Sequence, residues 1–530
     1  MCGKAARLST PLALSPCPNP ALSSSCTRPD ALASMQTTVK HTRLFFLIFL
    51  FPILASGQSP TFVQHASCSN SRATGNGQSS TPDYKCPLPE PSQSGNTIIV
   101  GVIVNNNGTF SISDDKGNSY SLVKSVVDSN NMYVAIYKAS NVAVGTRMLD
   151  FHRTVNGAYN AAMSISEYYN VGATDGSNCN AGSSSTTITA GSITPTATGD
   201  LLWQWAPNGN DGGGLPASVS SFTAGSQASI TWQFLGTDLY DGSASQAGIY
   251  NSTSAINPTF TSGTAQNFTS CAVALKAAAG GTAPTATFRI LHMLHQQHPT
   301  GAANPFTVQF PTSGNLVVNS YVGGGSSITS ISSTPSNTWS STGTAVGNET
   351  ITALSQIYYA ANASTSNSMT LSVTRNDNSR DGTFMLYDVT GAASSPFDRD
   401  SGGQTANQTS LVSSFTTCSG CLTPSVTNDL VIANAAWNFC TGVGANAPSG
   451  SLFDVATDTG NGVDGPESVD QNNGWLHYYD PNANPVTVTW AMACGSTAES
   501  EWAGRVAAFK SGGSVVQQPP PPTQLKAVVN

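Results

Sequence analysis

Residues 94–104 read SGNTIIVGVIV, and residues 313–322 read SGNLVVNSYV. Each is a Ser-Gly-Asn turn that opens onto β-branched residues, the pattern of a chain entering a strand. The likeness continues in the same order along the chain. Asn118-Ser119-Tyr120 answers to Asn337-Thr338-Trp339, Ile136-Tyr137 to Ile357-Tyr358, and Glu167 to Asp388. Thr194-Pro195 with Asp200-Leu201 answers to Thr423-Pro424 with Asp429-Leu430, and Val273-Ala274-Leu275-Lys276 to Ala507-Ala508-Phe509-Lys510. The spacing between matched positions only grows, so the copies are colinear and the second carries the longer loops. One unit has been duplicated.

Within each copy the apolar period is two. NTIIVGVIV, MYVAIYKA, MTLSVTR, DLVIANAAW and VTVTWAMA are β-branched and aromatic, with turn residues between them. DDKGNSY at 114–120 reads as a hairpin turn, and no amphipathic helix pattern follows the first 57 residues. The expected fold is all-β: two tandem, jelly-roll-like β-sandwich domains joined by a short linker. The first domain is placed at 59–276, the Ala/Gly/Pro linker AAAGGTAP at 277–284, and the second domain at 285–510. Residues 511–530 read as a disordered Pro-rich tail.

Only 9% of the 530 residues are charged, yet 39% are hydrophobic, so low charge does not mean disorder here. The apolar run LFFLIFLFPILA at 44–55 is short for a membrane span. Lys40 and Arg43 precede it and Ala55-Ser56-Gly57 follow, so residues 35–57 read as a signal peptide cut before Gln58. Residues 1–34 read as an over-extended start or a disordered leader. Cleavage would remove five of the 20 basic residues and one of the 28 acidic ones, moving the net charge from −8 to −12. Such a surface disfavours nucleic acid and anionic lipid as partners, and no membrane insertion is expected after cleavage.

Eight cysteines remain, four per copy: Cys68, Cys86, Cys179 and Cys271, then Cys418, Cys421, Cys440 and Cys494. An even count in an exported chain reads as disulfides. The expected pairs are Cys68–Cys86, Cys179–Cys271, Cys418–Cys421 and Cys440–Cys494. Other pairings are open.

The Ser-Gly-Asn strand, the Gly-Asn-x-Tyr turn and the T-P-x-x-T-x-D-L signature resemble uncharacterised exported bacterial proteins built of tandem sandwich domains. Those chains often finish in a Pro-rich tail like this one. The resemblance covers most of residues 59–530 and implies a fold, with no activity attached.

Five groups of residues are candidates for chemistry. His292, His295 and His298 could hold Zn²⁺ or Cu²⁺, but spacing of three on a strand alternates faces, so solvated or half-buried histidines are the simpler reading. Cys418-Ser-Gly-Cys421 lacks a second such pair and reads as a structural disulfide. Asp458, Asn461 and Asp464 lie in a Gly-rich acidic loop that could take Ca²⁺, against the plainer reading of a solvated loop. Trp475, Tyr478 and Tyr479, with Trp232 and Tyr250, could form a stacking platform for sugars, against the alternative that they fill the core. Carboxylate catalysis needs two acids flanking one bond, yet Glu499 and Glu501 stand alone and no nucleophile-elbow, zincin or phosphate-loop motif occurs. Glu167 and Asp388 read as packing or capping residues at strand ends, and Asp200 and Asp429 as turn formers.

The expected function is therefore a secreted, non-enzymatic binding or adhesion protein with no cofactor beyond a candidate Ca²⁺. Its expected partner is an extracellular glycan or surface protein. The alternatives are a structural subunit of a surface layer or filament, and a polysaccharide-active enzyme with an unrecognised site.

Overall fold

The first strand of the first copy, Thr61–Asn70, lies parallel to the first strand of the second, Arg289–His298, with His65 beside His292 and Cys68 beside His295. Every other strand pair among the described residues is antiparallel. The computed structural model describes residues 58–70, 83–105, 108–154, 161–207, 219–238, 243–298, 303–312, 314–348, 353–378, 382–408, 414–438, 440–446, 452–453, 471–494 and 500–513. These residues hold strands and turns and no helix. The signal peptide and leader expected from the sequence lie outside them, as does the expected tail from residue 514 on; Ser511, its first residue, closes a strand.

From that parallel pair one 11-stranded sheet extends both ways. On one side follow Ala161–Tyr169, Thr97–Asn105, Met132–Ala139 and Ser121–Val127; on the other, Gly382–Thr390, Leu316–Gly323, Ala353–Ala361 and Trp339–Ser341. The order is the same in both directions, copy for copy. Equivalent strands that are parallel neighbours are related by a two-fold rotation about an axis running along the strands. Such a rotation turns one half of the sheet over, so each copy must cover the opposite face.

The cores show this. Along Thr97–Asn105 alternate residues point to opposite faces. Val100 and Val102 pack with Leu149 and Phe151 of the small sheet Asp83–Pro87, Met148–Arg153 and Phe110–Asp114. The same cluster continues across the second copy to Leu430, Ile432, Trp475 and Phe509 of its six-stranded sheet. On the other face, Ile99 and Ile103 pack with Leu201, Trp203 and Val273 of the first copy's six-stranded sheet. There, too, Val317 and Leu386 of the second copy pack with Val308, Leu371 and Val373 of the small sheet Phe306–Thr312, Ser366–Arg375 and Ile328–Thr334. Gly101 lets the two layers approach closely: an added Cβ there would meet Trp205 and Trp203 at 2.7 and 2.8 Å.

The all-β class stands. Two tandem sandwiches joined by a short linker are not clearly seen, because both copies belong to one compact unit and share a sheet. The linker itself is tied down. Ala278 N donates to Asn170 O at 3.0 Å, Asn170 N to Gly280 O at 2.8 Å, and Thr282 N to Asn96 Oδ1 at 2.7 Å. Local pattern reading cannot see such a merger, since alternation says which face a residue takes and not which strand lies beside it.

Local chemistry explains the turns. In the expected hairpin at 114–120, Asp114 accepts from Lys116 N, Asn118 N, Asn118 Nδ2 and the Tyr120 hydroxyl, while Gly117 takes φ +73°. Disulfides join Cys68 to Cys86, Cys179 to Cys271 and Cys418 to Cys421. The backbone register sets Cys440 opposite Cys494.

Candidate functional site

The same group of four residues is built twice, once on each six-stranded sheet. In the first copy Thr259–Ala277 lies between Val171–Thr189 and Asp200–Ala206. Asp175, Lys276 and Asp200 stand on these three neighbouring strands. In the second copy Ser500–Ser511 lies between Ala392–Asp400 and Asp429–Asn438, bringing Asp398, Lys510 and Asp429 to the same places. The fourth member comes from the Thr-Pro turn before the middle aspartate: Thr196 in one copy, Ser425 in the other.

Asp175 is rich in donors. Thr196 N and Thr196 Oγ1 each donate to it at 2.5 Å, Ala197 N at 3.2 Å, and Lys276 Nζ lies 3.1 Å away. Asp398 repeats the pattern, taking Ser425 N at 2.6 Å and the Ser425 hydroxyl, with Lys510 Nζ at 3.9 Å. Asp200 and Asp429 are the opposite case. Both are 0% exposed, and neither carboxyl has an N–H or alcohol donor among the described residues. Each instead lies beside its partner acid, Asp175 or Asp398, whose carboxyl acts on it directly. Two carboxyls can share a hydrogen bond only if one of them is protonated.

Proton affinities follow. Burial, then the bond to Asp175 and its charge, push Asp200 up to about 7. Burial and Asp398, with a smaller part from Asp480, push Asp429 up to about 8. Burial opposes ionisation at Asp175 and Asp398 too, but the hydroxyl and amide of Thr196 or Ser425 outweigh it and hold both below the ordinary carboxylate range. Each pair therefore holds a proton more tightly than a free aspartate does. A sealed Asp200 can hold that proton but cannot present it to a bulky substrate.

A second polar cluster lines the seam between the copies. Glu167 is buried and accepts from Gln64 Nε2 at 2.5 Å, Gln93 N at 2.8 Å and Asn96 Nδ2 at 2.6 Å. Burial still pushes its carboxyl upward. Glu90, also buried, accepts from Ile290 N at 2.9 Å and from the Tyr479 hydroxyl, linking the first copy to the second. His65 is held well below the usual imidazole range by burial and by nearby His292, so it is neutral.

The residues marked out by sequence fall elsewhere. Trp475, Tyr478, Trp232 and Tyr250 are buried and Tyr479 is half-buried. Trp475 faces one core and Tyr478 another, while Trp232 and Tyr250 share a third. They form no exposed row, because the two-layer cover of the central sheet takes the large rings inward. His292 and His295 do alternate faces, one stacked on Phe62 and the other edge-on to Trp475. Both are buried, which corrects the expectation of solvated or half-buried histidines. Side chains beyond Gln296 in that run, His298 included, and the loop bearing Asp458, Asn461 and Asp464 lie outside what is described. Among the described residues no three His, Cys, Asp or Glu side chains gather as a metal site.

Asp200 and Asp429, expected to form turns, are instead the buried halves of the acid pairs. Asp175 and Asp398 were missed because GATDGS and SPFDRD read locally as turns. The available signal was coincidence: in a chain this poor in charge, an acid and a lysine recur at matching places in both copies. Comparison with known protein families and with curated protein sequences finds no match to this chain.

Proposed function

We propose that the protein is an exported, non-enzymatic binding or adhesion protein that engages extracellular glycan through the open face of one small sheet. In this reading each copy is a sandwich-like module, and duplication has welded two of them into one rigid support. The observation that carries the proposal is the outer face of Phe306–Thr312, Ser366–Arg375 and Ile328–Thr334. Along the middle strand Met369, Leu371 and Val373 point inward, leaving Ser368, Thr370, Ser372 and Thr374 on the outer face. Thr370 lies between Thr334 and Gln309, Ser372 lies between Ser332 and Thr307, and Thr374 lies opposite Ser330.

The result is a grid of short hydroxyls, about 4.8 Å apart across strands and about 7 Å along them. Short side chains lose little rotamer freedom on binding, and hydroxyls match the donor and acceptor pattern of sugar edges. Ser330, Ser332 and Thr334 are exposed. The disulfides support folding in an oxidising compartment, in keeping with export.

The test is retention on insoluble polysaccharides and on a glycan array, with and without Ca²⁺. Thr370→Lys and Ser372→Lys should abolish retention while leaving the melting temperature unchanged. Wild-type protein that is retained by no glycan would overturn the reading.

One observation favours the structural-subunit alternative. Val171–Thr189 is 19 residues long and, among the described residues, pairs only with Thr259–Ala277, leaving one side open to a strand from another molecule. Electron microscopy over a concentration series decides between them. Filaments or sheets would favour assembly, and monodisperse particles would count against it.

A further inference from the structure

We propose that each acid pair is a proton-operated latch: a proton shared by Asp175 and Asp200, and another shared by Asp398 and Asp429, pins the Thr-Pro turn of each copy to the outer sheet, and loss of that proton frees the turn. This goes beyond the binding reading and does not depend on it. The turn is held chiefly through Asp175, which takes the amide and hydroxyl of Thr196 and the amide of Ala197. Asp175 in turn faces Asp200, which is 0% exposed and whose carboxyl has no N–H or alcohol donor among the described residues. Remove the shared proton and two negative charges face each other, one of them sealed.

The surrounding charges do not offset that. In the first copy Lys276 is the one cation at the site among the described residues; it lies against Asp175 and also donates to Thr196 Oγ1 at 2.9 Å. Tyr250, opposite Asp200 in the sheet, spends its hydroxyl on Ser254 O at 3.0 Å. In the second copy Lys510 is farther from its aspartate, at 3.9 Å, and Asp480 stands opposite Asp429. Both Asp480 oxygens are occupied by loop amides, Asn482 N and Asn484 N, each at 3.0 Å. That third carboxylate adds to burial and Asp398 in raising Asp429.

The sign of the effect is fixed by linkage. Free aspartates titrate near 3.8, whereas Asp200 and Asp429 titrate near 7 and 8 in the folded protein. Between those limits the folded chain holds protons that the unfolded chain has released, so this contribution to stability falls as pH rises from about 4 to about 8. Below about 4 the unfolded chain takes up protons that Asp175 and Asp398 refuse, and stability falls again.

The experiment is thermal melting of the full chain from about pH 5 to about pH 9, beside hydrogen exchange of Thr196, Ala197 and Ser425. The wild type should lose melting temperature across this window, with exchange at the two turns rising beyond the intrinsic base-catalysed rate. The Asp200→Asn/Asp429→Asn variant, whose amides donate without titrating, should lose clearly less melting temperature than the wild type, keeping only the pH dependence of other buried groups such as His65 and Glu167. A wild type equally stable at both ends, or a variant with the same fall, overturns the latch. If the variant does not fold, the infrared band of a protonated carboxyl in wild type near pH 6 stands in, and its absence overturns the proposal equally.

Discussion

His292 stands in the second copy where Gln64 stands in the first. Each follows a bulge in the opening strand, and each faces the acid near the end of the neighbouring strand. Gln64 Nε2 donates to Glu167 Oε2 at 2.5 Å, and His292 Nδ1 meets Asp388 Oδ2 at 3.0 Å. Both acids also take a backbone N–H from the turn before the Ile- and Val-rich strand, Gln93 N for Glu167 and Gly314 N for Asp388. The task is one: satisfy a carboxylate sealed inside the sheet.

That equivalence predicts how His292 tolerates change. His292→Gln reproduces the first copy's solution and should fold with a loss of about 1 kcal/mol or less. His292→Leu keeps the ring's volume roughly but takes one hydrogen-bond partner from buried Asp388, and should cost more, about 1–3 kcal/mol. Urea denaturation of both variants measures the difference. Equal losses would mean that the ring is held by packing on Phe62 alone.

The shared seam also marks how far the sequence could be read. Alternation located Met132–Ala139 and Asp429–Asn438 well, because each is apolar and bounded by turn residues. The duplication was legible for the same reason. What was not legible is that Thr61–Asn70 and Arg289–His298 lie at the centre. TFVQHASCSN and RILHMLHQQH are polar enough to suggest an exposed edge. They are interior because the sheet is covered on both faces, and Gln64, His65, Ser67, His292, His295 and Gln296 are buried. His65 bonds Ser166 and Ser67, each at 2.9 Å. The acid pairs were hidden differently, since each pair with its lysine draws on three strands that only the folded sheet brings together.

Trp475 offers a direct check on where the aromatic residues act. Its indole is 0% exposed, donates from Nε1 to Ser320 O at 3.1 Å and sits edge-on to His295 with ring centres 5.5 Å apart. Trp475→Ala should cost about 3–5 kcal/mol through the cavity it leaves. Glycan retention per folded molecule should not change. A well-folded variant that loses retention would return Trp475 to the binding surface.

The disulfides should differ in weight. Cys179 and Cys271 are 92 residues apart, whereas Cys418 and Cys421 are separated by 3. Loop-closure entropy assigns about 4–5 kcal/mol to the first and about 2 kcal/mol or less to the second. Replacing Cys179 and Cys271 by Ala should therefore lower the melting temperature well beyond the matching change at Cys418 and Cys421. Equal shifts would place the stabilisation in local packing instead.

The last prediction concerns the two halves apart. Cutting the chain within 277–284 strips Thr61–Asn70 of its parallel neighbour and bares a full strand edge at the middle of the sheet. It also removes the Tyr479 hydroxyl and Ile290 amide from buried Glu90, and the Gln309 and Asn367 side chains from the amides of Phe222 and Phe234. An open edge with unsatisfied N–H and C=O groups pairs with whatever strand it meets. The two-fold relation means that a second copy of the same half presents a strand of the right direction. Residues 58–284 expressed alone should therefore appear by light scattering as a dimer or larger, never as a stable monomer. A monodisperse, cooperatively melting monomer would show that the copies fold independently and that the shared sheet is an association of two finished domains.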